Sequence, residues 1–377
     1  MPDPAPASRN QALDVLRCLA VLLVLGHHFP HYTLWSRAGW IGVDLFFVLS
    51  GFLISGLLFQ EYKATGHIGL WRFWARRALK IWPPFYAFLG TVAVIFLLSA
   101  YTFPSREFIS TSAFLQMYLT PNSQLVTIGA LCHLWSLAVE EHFYIALPLI
   151  LAALQSSRRR FDRIPAFFAA AAVISLILRI LTLRSGQWAW MTHLRMDGLF
   201  AGVFLGYLYH FRRVTFEKFD RPWSPVIAAA ACLPCLLLPG NSLLIQTFGL
   251  SALWVGFSSL VAWAVKRRPS NWFFVRAAAW LGFHSYSIYL WHMLLVPRFE
   301  SLGSSALAFW FAILFSIVFG VLLIVFPGAG ALALVWLIGS YSIVFGVMML
   351  LLAFRLRSHH QQAGSTLTGT SANNPLR

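Results

Sequence analysis

The sequence predicts an all-α protein, a polytopic transmembrane bundle of about 10–11 helices, from three observations. Of its 377 residues 59% are hydrophobic and only 11% are charged, far from the roughly 25% charged content of a soluble domain. Apolar runs of about 20 residues, the length a helix needs to cross a bilayer core, recur along nearly the whole chain. Those runs are continuous and do not alternate with period two, which selects helices over the strands of a membrane barrel.

The runs fall near residues 11–29, 40–60, 82–100, 133–154, 165–183, 194–211, 223–239, 243–266, 280–299, 305–326 and 330–354. The first occupies the place of a signal peptide, but it carries Asp14 and Arg17 within the apolar stretch and lacks a small-residue cleavage site, so it reads as a retained helix. A short cytoplasmic segment (1–10), a membrane domain (11–300), atypical C-terminal helices (301–357) and a disordered polar tail (358–377) make up the expected organisation.

The net charge of +16 sits in short clusters between the runs and not along one face, so it points away from nucleic acid and toward the positive-inside rule. With the N-terminus cytoplasmic, the inner loops hold Lys63, Arg72, Arg76, Arg77 and Lys80, then Arg158 to Arg160 and Arg163, then Arg212, Arg213, Lys218 and Arg221, then Lys266 to Arg268 and Arg276. The opposite loops hold Arg37, Arg106, Arg184, Arg195 and Arg298. An eleventh span would put Arg355 and Arg357 on the wrong side, so one of the last two runs is read as re-entrant or the count as ten. Cys18, Cys132, Cys232 and Cys235 give no disulfide or metal framework; the CxxC at Cys232 and Cys235 lies in an apolar run without a second ligand pair and reads as core.

Polar residues at membrane depth carry the functional signal. From Arg17 to His28, in RCLAVLLVLGHH, eleven helical steps rotate about 1,100°, close to three turns, and rise roughly 16 Å, so both share one stripe. Asp14, three residues before Arg17, joins it. Each ionised group at the helix centre costs about 3 kcal/mol to insert, so such a stripe should face a polar cavity. The bland alternative has Arg17 snorkelling to the surface and His28 at the opposite interface. The second helix opens GWIGVDLFFVLSGFLISGLL, with Asp44 near its start. The fourth opens HLWSLAVEEHFY, where His133 and Glu140 are seven apart and share a face.

RCLAVLLVLGHH, GVDLFFVLSGFLI, WARRALKIWPPF, HLWSLAVEEHFY, LRMDGL and SYSIYLWH stand in the order found in a known family. Over about residues 10–295 the chain resembles the acyltransferase-3 family of integral membrane O-acyltransferases. That resemblance implies transfer of an acyl group, most simply acetyl, from cytoplasmic acyl-CoA as co-substrate to a hydroxyl of an envelope glycan or glycolipid, in a bacterial inner membrane. No permanently bound cofactor and no metal are expected, and the oligomeric state stays open. His28 is the expected general base, with His27, about 100° away, its neighbour. Glu140 is the second catalytic candidate, orienting a histidine or pairing with an arginine. Arg17 and Asp14 on the stripe, Asp44, the basic cluster Arg76, Arg77 and Lys80 just before the third helix, Tyr144, Asp197, Tyr289 and His292 are the expected substrate-binding residues. Lys80 stands where the family usually has arginine and His142 where glutamine is common. The basic cluster serves equally as a topology signal, Asp197 as an ion-pair partner of Arg195 or Arg17 or as part of a local interface salt bridge, and Tyr289 as hydrogen-bonding glue between helices.

After the last motif the likeness ends. The stretch LLIVFPGAGALALVWLIGSYSIVFGVMMLLLAFRLR resembles a helical pair of HdeD-type acid-resistance membrane proteins, and the family's closing acidic-proline motif is missing. Two other function classes stay open at this level: a secondary transporter using buried charges as an ion path, and a non-catalytic membrane protein of the acid-resistance sort.

Overall fold

The computed structural model describes residues 10–28, 34–99, 102–127, 129–155, 160–184, 186–294, 314 and 317–318. The chain divides into two compact units, 1–322 and 323–377; the second, with the expected tail, lies outside the described residues, as does nearly all of the run 305–326. Every regular element among the described residues is helical. The principal ones are α1 Gln11–His28, α2 Gly42–Thr65, α3 Leu70–Leu98, α4 Leu134–Gln155, α5 Ile164–Thr182, α6 Met196–Phe211, α7 Ser224–Leu237, α8 Leu250–Val265, α9 Phe273–Phe283 and α10 Ser285–Trp291. Six segments among the described residues are long and apolar enough to cross a membrane, and the chain is a multi-pass membrane protein.

Local chemistry sets the ends. Asn10 caps α1, its Oδ1 accepting from the amides of Ala12 and Leu13 at 3.1 and 3.2 Å, which satisfies two of the donors a helix start leaves open. Gly66, at φ 77°, closes α2 in the left-handed conformation. Asn10 also donates through Nδ2 to the carbonyl of Val265 at 2.8 Å, and Gln11 exchanges hydrogen bonds with the backbone of Ser270. Lys63 donates to the carbonyl of His210, and Arg212 pairs with Asp162 at 2.9 Å. These contacts gather the start of α1, the ends of α2, α6 and α8 and the loop before α5 on one face, where the basic residues concentrate.

Two expected boundaries are corrected. The third helix starts at Leu70, twelve residues before position 82, and runs through Pro83 and Pro84. Its charged first turns, expected as a loop, are helical, with Phe73 buried and Arg72, Arg76 and Lys80 exposed beside the outward Trp71 and Leu79. The run near 280–299 is a broken element: α9 stops at Phe283, α10 begins at Ser285, and a 3₁₀ turn spans His292–Leu294.

Small residues bring the central helices together. Gly51, Ser55, Gly198, Gly202 and Gly206 line the contact of α2 with α6; a Cβ added at Gly202 would lie 2.6 Å from the amide of Phe52 and 2.9 Å from Gly51 Cα. Lipid offers apolar surfaces no reason to separate from it, so close backbone approach supplies the packing energy. Gly202→Val is therefore expected to cost about 1–3 kcal/mol through overpacking, read as a lower midpoint for unfolding in detergent; an unchanged midpoint would contradict the packing described. Gly282 likewise leaves no room for a side chain against the Asp14 carbonyl of α1.

Helix α5 is inverted relative to a soluble helix. Val173, Ile174, Ile177, Ile180 and Leu181 point outward, whereas Ser175 and Arg179, four residues apart on one face, are buried.

Candidate active site

A cavity of about 320 Å³ opens among α1, α2, α3, α4, α9 and α10, at the lower end of the range for small-ligand sites. Three cations line it: Arg17 from α1 and Arg77 and Lys80 from α3. Positions 77 and 80 share a helix face, which explains why both reach in, while Arg76, one step round, turns to Glu61 at 3.7 Å and is half exposed. Arg17 donates to Asp14 at 3.1 Å across a single turn. Asp14 is buried beneath it and anchors the guanidinium without lining the cavity.

The opposite wall comes from α4 and α2. Tyr144 donates to Glu140 Oε2 at 2.8 Å and lies 2.7 Å from Ser50 Oγ. Glu141 Oε2 accepts from Trp82 Nε1 at 3.2 Å. The head of the cavity is closed by Ser136 and Tyr289, whose hydroxyls are hydrogen-bonded to each other, with Tyr289 donating to the carbonyl of His133 at 2.8 Å. The cavity thus runs from guanidinium and ammonium groups to paired hydroxyls, a polar lining inside an apolar bundle.

His28 stands outside that wall. Its ring packs on His292, with centroids 4.9 Å apart, and His292 in turn lies 5.1 Å from the ring of His133 and 5.6 Å from that of Tyr289. α1 is one unbroken helix that carries both ends of the expected stripe: Arg17 lines the cavity, and His28, which is not among its lining residues, packs on His292, whose ring contacts those of His133 and of the cavity residue Tyr289. His28 is half-buried.

The surroundings of His28 are tied to backbone. His27 Nδ1 meets the carbonyl of Ser36 at 2.8 Å, and the indole of Trp35 lies over Gly26 and donates to the carbonyl of Leu22. His27 therefore holds the segment 34–38 onto the end of α1. Trp188 flanks His27, with ring centroids 6.5 Å apart, and packs edge-on against Trp40 at 5.6 Å. The buried amide of Gln246 places the Trp188 loop: its Oε1 accepts from the amide of Ala189 and its Nε2 donates to the carbonyl of Gly240, both at 2.8 Å.

Residues 10–326, most of the chain, match the family described as an acyltransferase domain. The chain belongs to this acyltransferase family. Its match extends beyond the motifs that end near position 295. Residues 311–370 match a second family, a short repeat of unknown function, where the HdeD-type likeness was noted. A provisionally named O-acetyltransferase of Staphylococcus aureus strain COL is 30% identical over 327 residues, 77% of this chain and 51% of that protein. The O-acetyltransferase OatA of S. aureus strain NCTC 8325 is 27% identical over 309 residues, 74% of this chain and 49% of that protein. The chain spans about half the length of the curated relatives it matches. No solved structure matches it significantly.

Several expected site residues of this family member lie elsewhere. Asp44 pairs with Arg195 at 2.8 Å, and Asp197 pairs with Arg179 at 2.7 Å, not with Arg195 or Arg17. All four are buried, and none lines the cavity. Arg195 also faces the rings of Phe47 and Trp135 at 5.4 Å, so these aspartates fasten α2, α5 and α6 together. The hydrogen bond of Glu140 runs to Tyr144, which places it in the cation-lined cavity and away from His28. Arg17, Arg77, Lys80, Glu140, Tyr144 and Tyr289 do come together, and His28 meets His292. Ser50, Ser136 and Glu141, visible in the sequence as polar residues at membrane depth but assigned no role, also line the cavity, as does Tyr286; Arg179 is not anticipated by sequence reasoning. A lone cation in the apolar run ISLILRILT, four residues from Ser175, was the available signal for Arg179.

Proposed function

We propose that the chain is a membrane O-acetyltransferase that moves an acetyl group from cytoplasmic acetyl-CoA to a hydroxyl of an envelope glycan or glycolipid. The N-terminus and the basic face are cytoplasmic, in a bacterial inner membrane. The observation that carries this reading is the cavity's order: Arg17, Arg77 and Lys80 together with Glu140, Tyr144 and Ser50, then paired hydroxyls, then the histidine layer that ends at His28. Arginine and lysine suit the phosphates and amide-rich arm of coenzyme A. Family membership and the O-acetyltransferase names of the relatives support the reaction class.

In the proposed step the acceptor oxygen attacks the thioester carbonyl carbon while its proton passes to His28. The tetrahedral adduct then expels the coenzyme A thiolate, which takes that proton from His28, leaving an acetyl ester and a free thiol. An alcohol attacks poorly without such a base. In this reading the donor's acyl end and the acceptor meet beside Tyr289, whose hydroxyl is held by Ser136 and the His133 carbonyl.

The test is purified protein in lipid nanodiscs with labelled acetyl-CoA and envelope glycolipid or polysaccharide. The expected product gains one acetyl mass on an alkali-labile ester, and His28→Ala abolishes it; a thioester left unconsumed would overturn the reading, and an ester formed equally by His28→Ala would remove His28 as the base. Arg17→Gln is expected to weaken acetyl-CoA binding about 10- to 100-fold, since a charge-assisted hydrogen bond contributes roughly 1.5–3 kcal/mol. Calorimetric titration reads this directly, and unchanged affinity would remove Arg17 from the donor site.

A further inference from the structure

A neutral imidazole has one N–H donor and one lone pair, and which nitrogen carries which decides where it can act as a base. Around His28 the assignment follows from backbone carbonyls. His292 Nδ1 contacts the carbonyl of Tyr289, three residues back in the turn that follows α10. A carbonyl oxygen only accepts, so the proton of His292 is on Nδ1 and its Nε2 presents a lone pair. That Nε2 lies 3.1 Å from His28 Nδ1, so the contact is a hydrogen bond only when His28 Nδ1 donates. A second contact requires the same thing independently: His28 Nδ1 lies 3.2 Å from the carbonyl of Val24, another pure acceptor.

We propose that His292 is a positioning residue, holding His28 in its Nδ1–H form so that Nε2 is the nitrogen that takes the proton of the acceptor hydroxyl. The proposal rests on the acyl-transfer reading above. His292 is suited to this role because it has no freedom of its own: it is fully buried, and its Nδ1 is fixed by α10 backbone. His27, the other polar neighbour, is occupied with the Ser36 carbonyl. The orienting partner is thus a second neutral imidazole, where histidine bases commonly use a carboxylate. Once His28 has taken the proton at Nε2 it is cationic, and its Nδ1–H bond to His292 becomes charge-assisted and stronger. The arrangement therefore favours the protonated state that exists only during turnover.

The experiment is nitrogen-15 histidine NMR of the full chain in nanodiscs under conditions where the ring is neutral, with the His28 signals assigned by their loss in His28→Ala. The Nδ1–H pattern is expected, although free histidine prefers the Nε2–H form; an Nε2–H pattern in the unmodified protein would overturn the proposal without any variant having to fold. His292→Leu leaves His28 Nδ1 only the Val24 carbonyl, so it is expected to raise the Nε2–H fraction and to lower kcat roughly 10- to 100-fold, the range found for partners that orient metal-bound imidazoles, with KM for acetyl-CoA unchanged. His292→Gln offers a carbonyl oxygen in place of Nε2 and should recover much of both readouts. Full kcat in a folded His292→Leu protein would remove His292 from the mechanism, whereas an unmodified protein that consumes no thioester would instead refute the acyl-transfer reading.

Discussion

Replacing His28 by glutamine is expected to lower kcat for acetyl transfer by roughly 10²–10⁴-fold, the usual contribution of a positioned general base. The Michaelis constant for acetyl-CoA should change by less than about twofold. The asymmetry comes from the geometry: the cations that suit the donor line a cavity that Ser136 and Tyr289 also line, and His28 is not among its lining residues but contacts His292. Deleting its imidazole removes a proton acceptor without touching the donor's walls. Initial-rate kinetics with varied acetyl-CoA check this. A parallel rise in the Michaelis constant would place His28 in the donor site after all, and retained turnover would remove it as the base.

Arg179→Met is expected to destabilise the protein by about 3–5 kcal/mol, the cost of leaving a buried charge without its partner. Arg179 is fully buried, donating to Asp197 at 2.7 Å, Ser251 at 3.0 Å and the carbonyl of Leu194 at 3.3 Å, so one guanidinium joins α5 to α6, α8 and the turn before α6. Asp197→Asn should be damaging by the same logic. Removing both charges together should cost less than the sum of the two, because neither is then stranded. Reversible unfolding in mixed detergent gives these energies; an Arg179→Met protein as stable as the parent would show that the pair does not hold the bundle.

What could be read beforehand followed periodicity along single helices, and what could not depended on partners brought in from elsewhere. The stripe from Asp14 through Arg17 to His28 is a property of one helix, and α1 carries it unbroken. Whether that stripe faces one space or two depends on Tyr289 and His292, more than 250 residues away, and no pattern within α1 contains that information. Pro83 and Pro84 look like a helix start because proline suits a first turn, yet α3 has already run three turns before them. The break at His284 has no proline or charge run to announce it; Gly282, pressed on the Asp14 carbonyl, is the residue there whose lack of a side chain the packing requires. Asp44 and Asp197 show the same limit from the other side. A buried carboxylate in a membrane sequence signals an obligatory partner, but nothing local says whether that partner is a substrate or Arg195 and Arg179.

Gln246 grips a peptide N–H at Ala189 and a peptide C=O at Gly240, groups that every amino acid except proline provides in full. The two gripped residues are small for a reason of their own: a Cβ at Gly240 would lie 2.7 Å from the Trp40 indole nitrogen and 2.8 Å from the Trp188 ring, and Ala189 is buried. One buried amide thereby spaces two loops through their peptide groups, and the two indoles lie against a glycine that only backbone can occupy, so this end of the bundle owes its dimensions to main chain and aromatic rings together.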